Sequence, residues 1–328
     1  DEHSGEHRVL SLPRKNVATN AEYDFYRVNQ FVNKLLADPE KQPTFGYLRG
    51  LVDIIHDSVA LEFDRVSVYR MSHSVEDFYD RRVGDWNVKT VRVYSLEGKA
   101  IEMDQARGKT ARKILSKDPD TYKEAMKAVA KVERDALYGM AKADQPKPTT
   151  LHANPDFHDG QVLIEPDSKE VTILDFGQAV NIDNEQREYG ADLLTILGGA
   201  YSPEKAAELL RKHSGVDIST ERLEEIFKSK ERMDKFTKLL GTLAGLGGKV
   251  PIPVVHWVLG MNRQIALGEK TGDSMMNSLR VMALVRKSGG DIETFNALRV
   301  AGRTPLQVVG GGVMGPVGAW LKGMLWPF

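Results

Sequence analysis

The sequence contains no cysteine. That excludes a disulfide framework, a thiolate nucleophile and a cysteine-ligated zinc site, though it assigns no compartment. A surplus of one charge is missing as well. The 45 Lys and Arg stand against 46 Asp and Glu, for a net charge of −1, so nothing argues for nucleic acid as a partner. No internal repeat of fixed period occurs. The chain opens at Asp1 without a methionine and without a charged-then-apolar signal segment, which reads as a processed or N-terminally truncated protein. What is present is ordinary globular material: 328 residues, 41% hydrophobic and 28% charged, on the scale of two lobes with a sizeable core.

The patterning is mixed. Val9-Leu10-Ser11-Leu12 reads as a short strand ended by Pro13. Phe25, Val28, Phe31, Val32, Leu35 and Leu36 follow helical spacing, and a second helix is expected from about Thr44 to Leu61. The spacing of Val68, Met71, Val75 and Phe78 continues a helix, although Val66-Ser67-Val68 would serve equally as strand. Val88 to Tyr94 alternates as a strand, and Ala100 to Asp104 returns after a turn at Glu97-Gly98. From Asp118-Pro119, a capping acid before a proline, the chain becomes helical to about Ala141. Ser202-Pro203, Ser219-Thr220, Val250 to Pro253 and Ser274 open further helices. His256 and Trp257 are expected in the core, His213 at helix-end carbonyls, and the charges from Glu221 to Lys238 on a solvated helix face. His3 and His7 sit in a polar tail without a partner pattern.

One stretch concentrates chemistry. Residues Leu151 to Ala179 read as a polar loop, a β-hairpin and an acidic turn. Val162-Leu163-Ile164 and Val171 to Leu174 are β-prone runs separated by the turn formers Pro166-Asp167-Ser168-Lys169. Such a hairpin brings His152, Asn154, Asp156, Asp159 and Gln161 beside Asp175. Hard oxygen donors gathered in this way suit Mg²⁺ on nucleotide phosphates, which takes one or two carboxylates plus phosphate oxygens and water. In a protein-kinase catalytic loop an aspartate is followed five positions later by a metal-binding residue, then a hairpin, then the Asp of D-F-G. Asp156 and Gln161 have that separation, and Asp175-Phe176-Gly177 follows the hairpin.

On these residues the chain resembles the UbiB/AarF-type atypical kinases, whose loop reads H-A-D-P-x-x-x-N before a hairpin and D-F-G. His152-Ala153-Asn154-Pro155 and Asp175-Phe176-Gly177 carry the resemblance. So do Leu61-Glu62-Phe63-Asp64, which looks like the family's E-x-D, and Ile101 to Gly108, which looks like its hinge strand ending in an acid. Val250 to Gly268 resembles its proline-started C-terminal helix. The resemblance implies an α+β, protein-kinase-like fold. Residues 1–104 would be an N-lobe-like remnant, 105–303 a helical C-lobe with the catalytic loop and hairpin, and 304–328 a glycine-rich apolar tail. It also implies ATP or ADP with Mg²⁺ as cofactors and a cytoplasmic, membrane-associated protein acting in quinone or isoprenoid-lipid metabolism. Asp175, with Gln161 or Asp159, would hold the metal, Asp156 or Asn154 would face the reacting hydroxyl or water, and His152 would join them as a catalytic residue of the loop. Glu62 would orient a lysine, with Asp104 and Lys15 on the nucleotide side.

The sequence also departs from the family. Asn154 stands where the family has aspartate, and asparagine takes no proton at neutral pH. The loop is two residues longer, so aligned from its left end it offers Asn154 and Asp159, and aligned from the strand Asp156 and Gln161. The K-x-G-Q element, the alanine-rich nucleotide loop and a clear V-A-x-K strand are absent, with Leu12 where lysine is expected and Lys15 available if the strand bulges. These departures favour a second expectation, a pseudokinase that regulates a partner without turnover. A third is a small-molecule kinase of the aminoglycoside or choline type, although its usual H-G-D is not seen. Residues 304–321 carry no charge but hold five glycines and two prolines, with Lys322 and Trp326 beside them in the manner of interfacial anchors. That makes the tail a candidate membrane segment.

Overall fold

The structure, a computed structural model, describes residues 7–139 apart from residue 14, then 151–272 and part of 282–294. The tail at 304–328, the loop 142–150 and most of the helix expected from Ser274 lie outside the described residues. The fold is mixed α+β with small sheets and a helical C-terminal part.

The first part runs β1 (Arg8–Ser11), α1 (Val17–Leu36), α2 (Gln42–Phe45), α3 (Tyr47–Phe63), α4 (Arg65–Tyr79), β2 (Arg81–Val83), β3 (Trp86–Thr90), β4 (Val93–Glu97), β5 (Ala100–Asp104) and β6 (Lys109–Thr110). Two helices follow, α5 (Ala111–Leu115) and α6 (Pro119–Tyr138). Then come β7 (Leu151–Ala153), β8 (Val162–Glu165), β9 (Glu170–Ile173) and β10 (Val180–Ile182). The remainder is helical: α7 (Asn184–Leu197), α8 (Pro203–Ser214), α9 (Thr220–Phe227), α10 (Arg232–Gly245) and α11 (Ile252–Thr271).

Three sheets form, in the orders β1-β5-β4, β2-β3-β9-β8-β6 and β10-β7. Among the described residues only β3 and β9 pair in parallel. Alternation along β8 and β9 turns Val162, Ile164, Val171 and Ile173 to one face, where they bury with Val88 and Trp86 against Ala125, Met126 and Val129 of α6. A second core gathers α7, α10 and α11 around Trp257, whose indole N–H donates to the Leu137 carbonyl at 2.7 Å. α11 reaches both cores, because Leu267 packs with the first and Met261 with the second.

Helix starts follow the capping residues. Asp118 caps α6, Ser202 caps α8, Ser219 caps α9, and Asp183 with Gln186 forms a capping box on α7. Several sequence expectations shift. The helix expected from Thr44 divides into α2 and α3 at Gly46, and Val66 to Val68 are helical because Asp64 caps α4 through Val66 N, Ser67 N and Ser67 Oγ. The run from Val88 to Tyr94 splits between β3 and β4, which belong to different sheets. The charged run from Glu221 to Lys238 is two helices. His256 and Trp257 are buried, as their apolar helix requires.

α3 and α10 approach closely through glycines. A Cβ on Gly50 would lie 2.5 Å from Ala244 Cβ, and one on Gly241 would lie 2.2 Å from the Tyr47 carbonyl oxygen. Gly241→Ala therefore forces the helices apart. The overpacking costs about 1–3 kcal/mol, which outweighs a helix-propensity gain of at most ~1 kcal/mol. A lowered urea midpoint at unchanged m-value is the expected reading.

Candidate functional site

Two short ladders bracket one cluster of polar side chains. β7 and β10 pair with Ala153 opposite Val180, and β8 and β9 pair with Val162 opposite Ile173. The segment from Asn154 to Gln161 leaves the first ladder and enters the second, and the segment from Leu174 to Ala179 runs back between them. A further bond, Leu174 N–H to Gln161 carbonyl at 2.8 Å, continues the β8–β9 ladder and holds Asp175 beside Gln161. Sequence reading took Leu151 to Ala153 as polar loop and did not find β7 or β10. Three-residue strands carry too little periodicity to be recognised alone.

A cavity of roughly 230 Å³ opens there, lined by Glu62, Arg65, Val68, Asn154, Asp156, Gln161, Asp175, Gly177 and Gln178. Asn154 is 4% exposed and fully engaged. Its amide N–H donates to the Asp175 carbonyl at 3.0 Å, and its Oδ1 accepts from Asp156 N–H at 3.1 Å. Asn154 thus fixes the other two residues and presents no free polar atom. Gln161 Nε2 donates to Asp156 Oδ2 at 3.0 Å, while its buried Oε1 finds no partner. Asp175 Oδ1 accepts from Gly177 N–H at 2.8 Å. Phe176 is buried edge-on against Tyr79, with ring centroids 5.1 Å apart, and so anchors the turn.

Of the residues singled out from sequence, the cavity gathers Glu62, Asn154, Asp156, Gln161 and Asp175. Asp159 is placed elsewhere, its Oδ2 accepting from Tyr122 Oη at 3.2 Å and Lys270 Nζ at 3.1 Å, toward α6 and α11. The geometry therefore joins Asp156 with Gln161 at the cavity and leaves Asp159 outside its lining. His152 is 3% exposed in β7 and packs edge-on to Phe78. Burial, opposed by a hydrogen bond to Asn181, lowers its pKa to about 4, so it is neutral at neutral pH and does not line the cavity. Lys15 is exposed in the turn before α1, and Leu12 is 66% exposed. Asp104 accepts from Tyr94 Oη at 2.7 Å and lines a separate polar cavity with Arg92 and Arg107. Glu62 was expected to orient a lysine. Its bonded partner is instead the Gln178 side-chain amide.

Sequence reading missed Arg65 and Gln178. Arg65 follows Glu62-Phe63-Asp64 directly, and among the described residues it is the single cation lining the cavity. Its Nε donates to the Lys99 carbonyl at 3.2 Å, and its Nη2 to Ser11 O and Oγ at 2.9 and 3.0 Å. Burial lowers its pKa and the charge of Asp175 opposes that shift. His213, expected at helix-end carbonyls, instead donates from Nε2 to Asp192 at 2.9 Å and stacks on Tyr189.

Behind Phe176 lies a buried acid. Glu133 is 2% exposed on α6. Burial, only partly offset by Tyr79 and Arg81, raises its pKa from 4.5 to about 8. Between those values the folded protein keeps a proton that the unfolded chain has lost, so stability falls as pH rises through that window. Glu133→Gln should flatten this slope, which urea unfolding at pH 5 and pH 8 would measure.

Two carboxylates and an orphaned amide oxygen are a donor set for a hard, oxygen-preferring cation. Among the described residues, no group of three or more His, Cys, Asp or Glu is placed to hold a metal by itself. Such a cation would complete its shell with water or with oxygens of a bound anion. Also among the described residues, no helix is long and apolar enough to cross a membrane. No protein-family model matches the sequence, and no curated protein is significantly similar to it.

Proposed function

We propose that the protein is a Mg²⁺-nucleotide-binding atypical kinase or ATPase of UbiB/AarF type with a protein-kinase-like fold. The observation that carries the reading is the convergence of Asp156, Gln161 and Asp175, from both sides of one hairpin, on a cavity closed by Glu62 and Arg65. Asp175 and the free Oε1 of Gln161 would hold Mg²⁺, which when bound supplies charge neutralisation at nucleotide phosphates. Asp156, oriented by the Gln161 amide, would accept the proton of the attacking hydroxyl or water. Asn154 keeps the loop in register with Asp175 through its two hydrogen bonds. At roughly 230 Å³ the cavity is smaller than the ~300–1,000 Å³ common for whole ligands, which suits a polyphosphate with its metal. The base would extend beyond it. A quinone or isoprenoid lipid as the phosphate acceptor or regulated substrate follows from the resemblance alone, and membrane contact would fall to 304–328.

Mg²⁺-dependent ATP hydrolysis tests the catalytic half. Asp156→Asn preserves the bond from Gln161 but removes the base, so turnover should fall by about 10²–10⁴ while Mg-ATP affinity holds. A second reading, a nucleotide sensor without turnover, is favoured by the absence of lysine from the described cavity lining. Binding of Mg-ATP without Asp156-dependent hydrolysis would select it.

A further inference from the structure

The cavity raises an electrostatic problem. Glu62, Asp156 and Asp175 contribute three carboxylates, so a polyphosphate entering it meets like charge on several sides. One divalent cation offsets only part of that repulsion. In protein kinases a lysine supplies the rest, but among the described residues no lysine lines this cavity. Glu62 is occupied by the Gln178 amide rather than by a cation.

Resting on the nucleotide reading above, we propose that Arg65 is the phosphate-binding cation of this site, taking the part that a strand lysine plays in other phosphotransferases. Three observations carry the assignment. Arg65 is the one cationic side chain among the described residues that line the cavity. Its guanidinium is held rather than floppy, because Nε and Nη2 are bonded to the carbonyls of Lys99 and Ser11 and to Ser11 Oγ. Those bonds span β1 and the β4–β5 turn, so the three-stranded sheet fixes the head group over the cavity, and Nη1 takes no part in them. A planar guanidinium anchored on one edge presents its other edge for phosphate oxygens, which it binds with geometric specificity and at little further entropic cost. The position also explains how the site could dispense with lysine: the cation arrives from the start of α4 instead of from β1.

Calorimetric titration of the full chain with Mg-ATP and with magnesium pyrophosphate tests this. Arg65→Gln should weaken both about ten- to hundredfold, the range for a charge-assisted hydrogen bond. Arg65→Lys, which restores charge without the fork that grips Ser11 and Lys99, should recover part of the loss. A structural anchor would show no such rescue. Unchanged or tighter binding by a folded Arg65→Gln overturns the inference. If Asp175→Ala then still abolishes binding, the nucleotide reading survives without it. If the parent protein binds neither ligand, both fall. Should Arg65→Gln not fold, comparison of [¹⁵N]arginine spectra of the parent and Arg65→Lys identifies the Arg65 side-chain resonance. That resonance must move when magnesium pyrophosphate is added to the parent; if it stays in place, the assignment is overturned.

Discussion

On the proposed Mg²⁺-nucleotide reading, Asp175→Ala is expected to reduce Mg²⁺-dependent nucleotide affinity by about a hundredfold or more, since loss even of a metal ligand's supporting partner costs 10–100-fold. The place of Asp175 is set by both ladders: β9 delivers it, and β10 follows within a few residues. Its Oδ1 is fastened by Gly177 N–H, which fixes the direction of the head group. Neighbouring donors cannot replace it. Asn154 is spent on the Asp175 carbonyl and Asp156 N–H, and Asp159 is turned toward Tyr122 and Lys270. Because Asp175 is exposed, the variant should fold with little change in stability. Titration with Mg-ADP, with and without EDTA, separates the outcomes. Equal affinity in the two proteins removes the metal assignment.

The largest effect on stability is expected far from this cavity, at Asp192→Ala. Asp192 is 1% exposed on α7 and accepts from His213 Nε2 at 2.9 Å and from Arg286 Nε and Nη2 at 3.0 and 2.6 Å. Arg286 also bonds Glu188, whose other oxygen accepts from Ile292 N–H at 2.7 Å. Asp192 thus ties α8 and the segment around Arg286 to α7. Its removal leaves a largely buried guanidinium short of countercharge, and breaking a buried pair in this way costs about 3–5 kcal/mol. Asp192→Asn, which keeps an acceptor and the shape, should cost less. Burial opposes ionisation of Asp192, but hydrogen bonds from His213 and Arg286 win and hold its pKa below 3.8. The stabilisation is therefore complete above the ordinary carboxylate range and is lost as pH falls through the lowered value. Urea midpoints of parent and variant should converge in acid. A constant gap down to pH 2 would place the cost in packing rather than charge.

How much of this was legible beforehand differs from element to element. The starts of α6, α8 and α9 were, because a cap is a local arrangement in which Asp118, Ser202 and Ser219 bond backbone N–H groups three residues on. The start of α7 went unread, although its capping box at Asp183 is equally local. The β8–β9 hairpin was legible too, because its β-branched runs and turn residues lie within a dozen positions of each other. The division of Val88 to Tyr94 between two sheets was not, since alternation says that a residue faces a core but not which one. His213 was misplaced for the same reason. Its partner Asp192 lies 21 residues away, on another helix, and no local pattern links them.

For the site, sequence alone determined the donors: an acidic loop, a hairpin and Asp175 after it, in an order that follows from covalent connection and short-range turn chemistry. Two alignments of the lengthened loop satisfied that order equally. Tertiary structure puts Asp156 and Gln161 on the cavity lining and turns Asp159 away from it. Tyr122 and Lys270 draw Asp159 outward, while the Asn154 bonds and the Gln161 amide turn Asp156 inward. It also supplied what no local reading could, the guanidinium of Arg65, which reaches the cavity only because β1 and the β4–β5 turn, distant in sequence, grip it. Loop residues carry their chemistry in their identity, but where they point is set by contacts made across the fold.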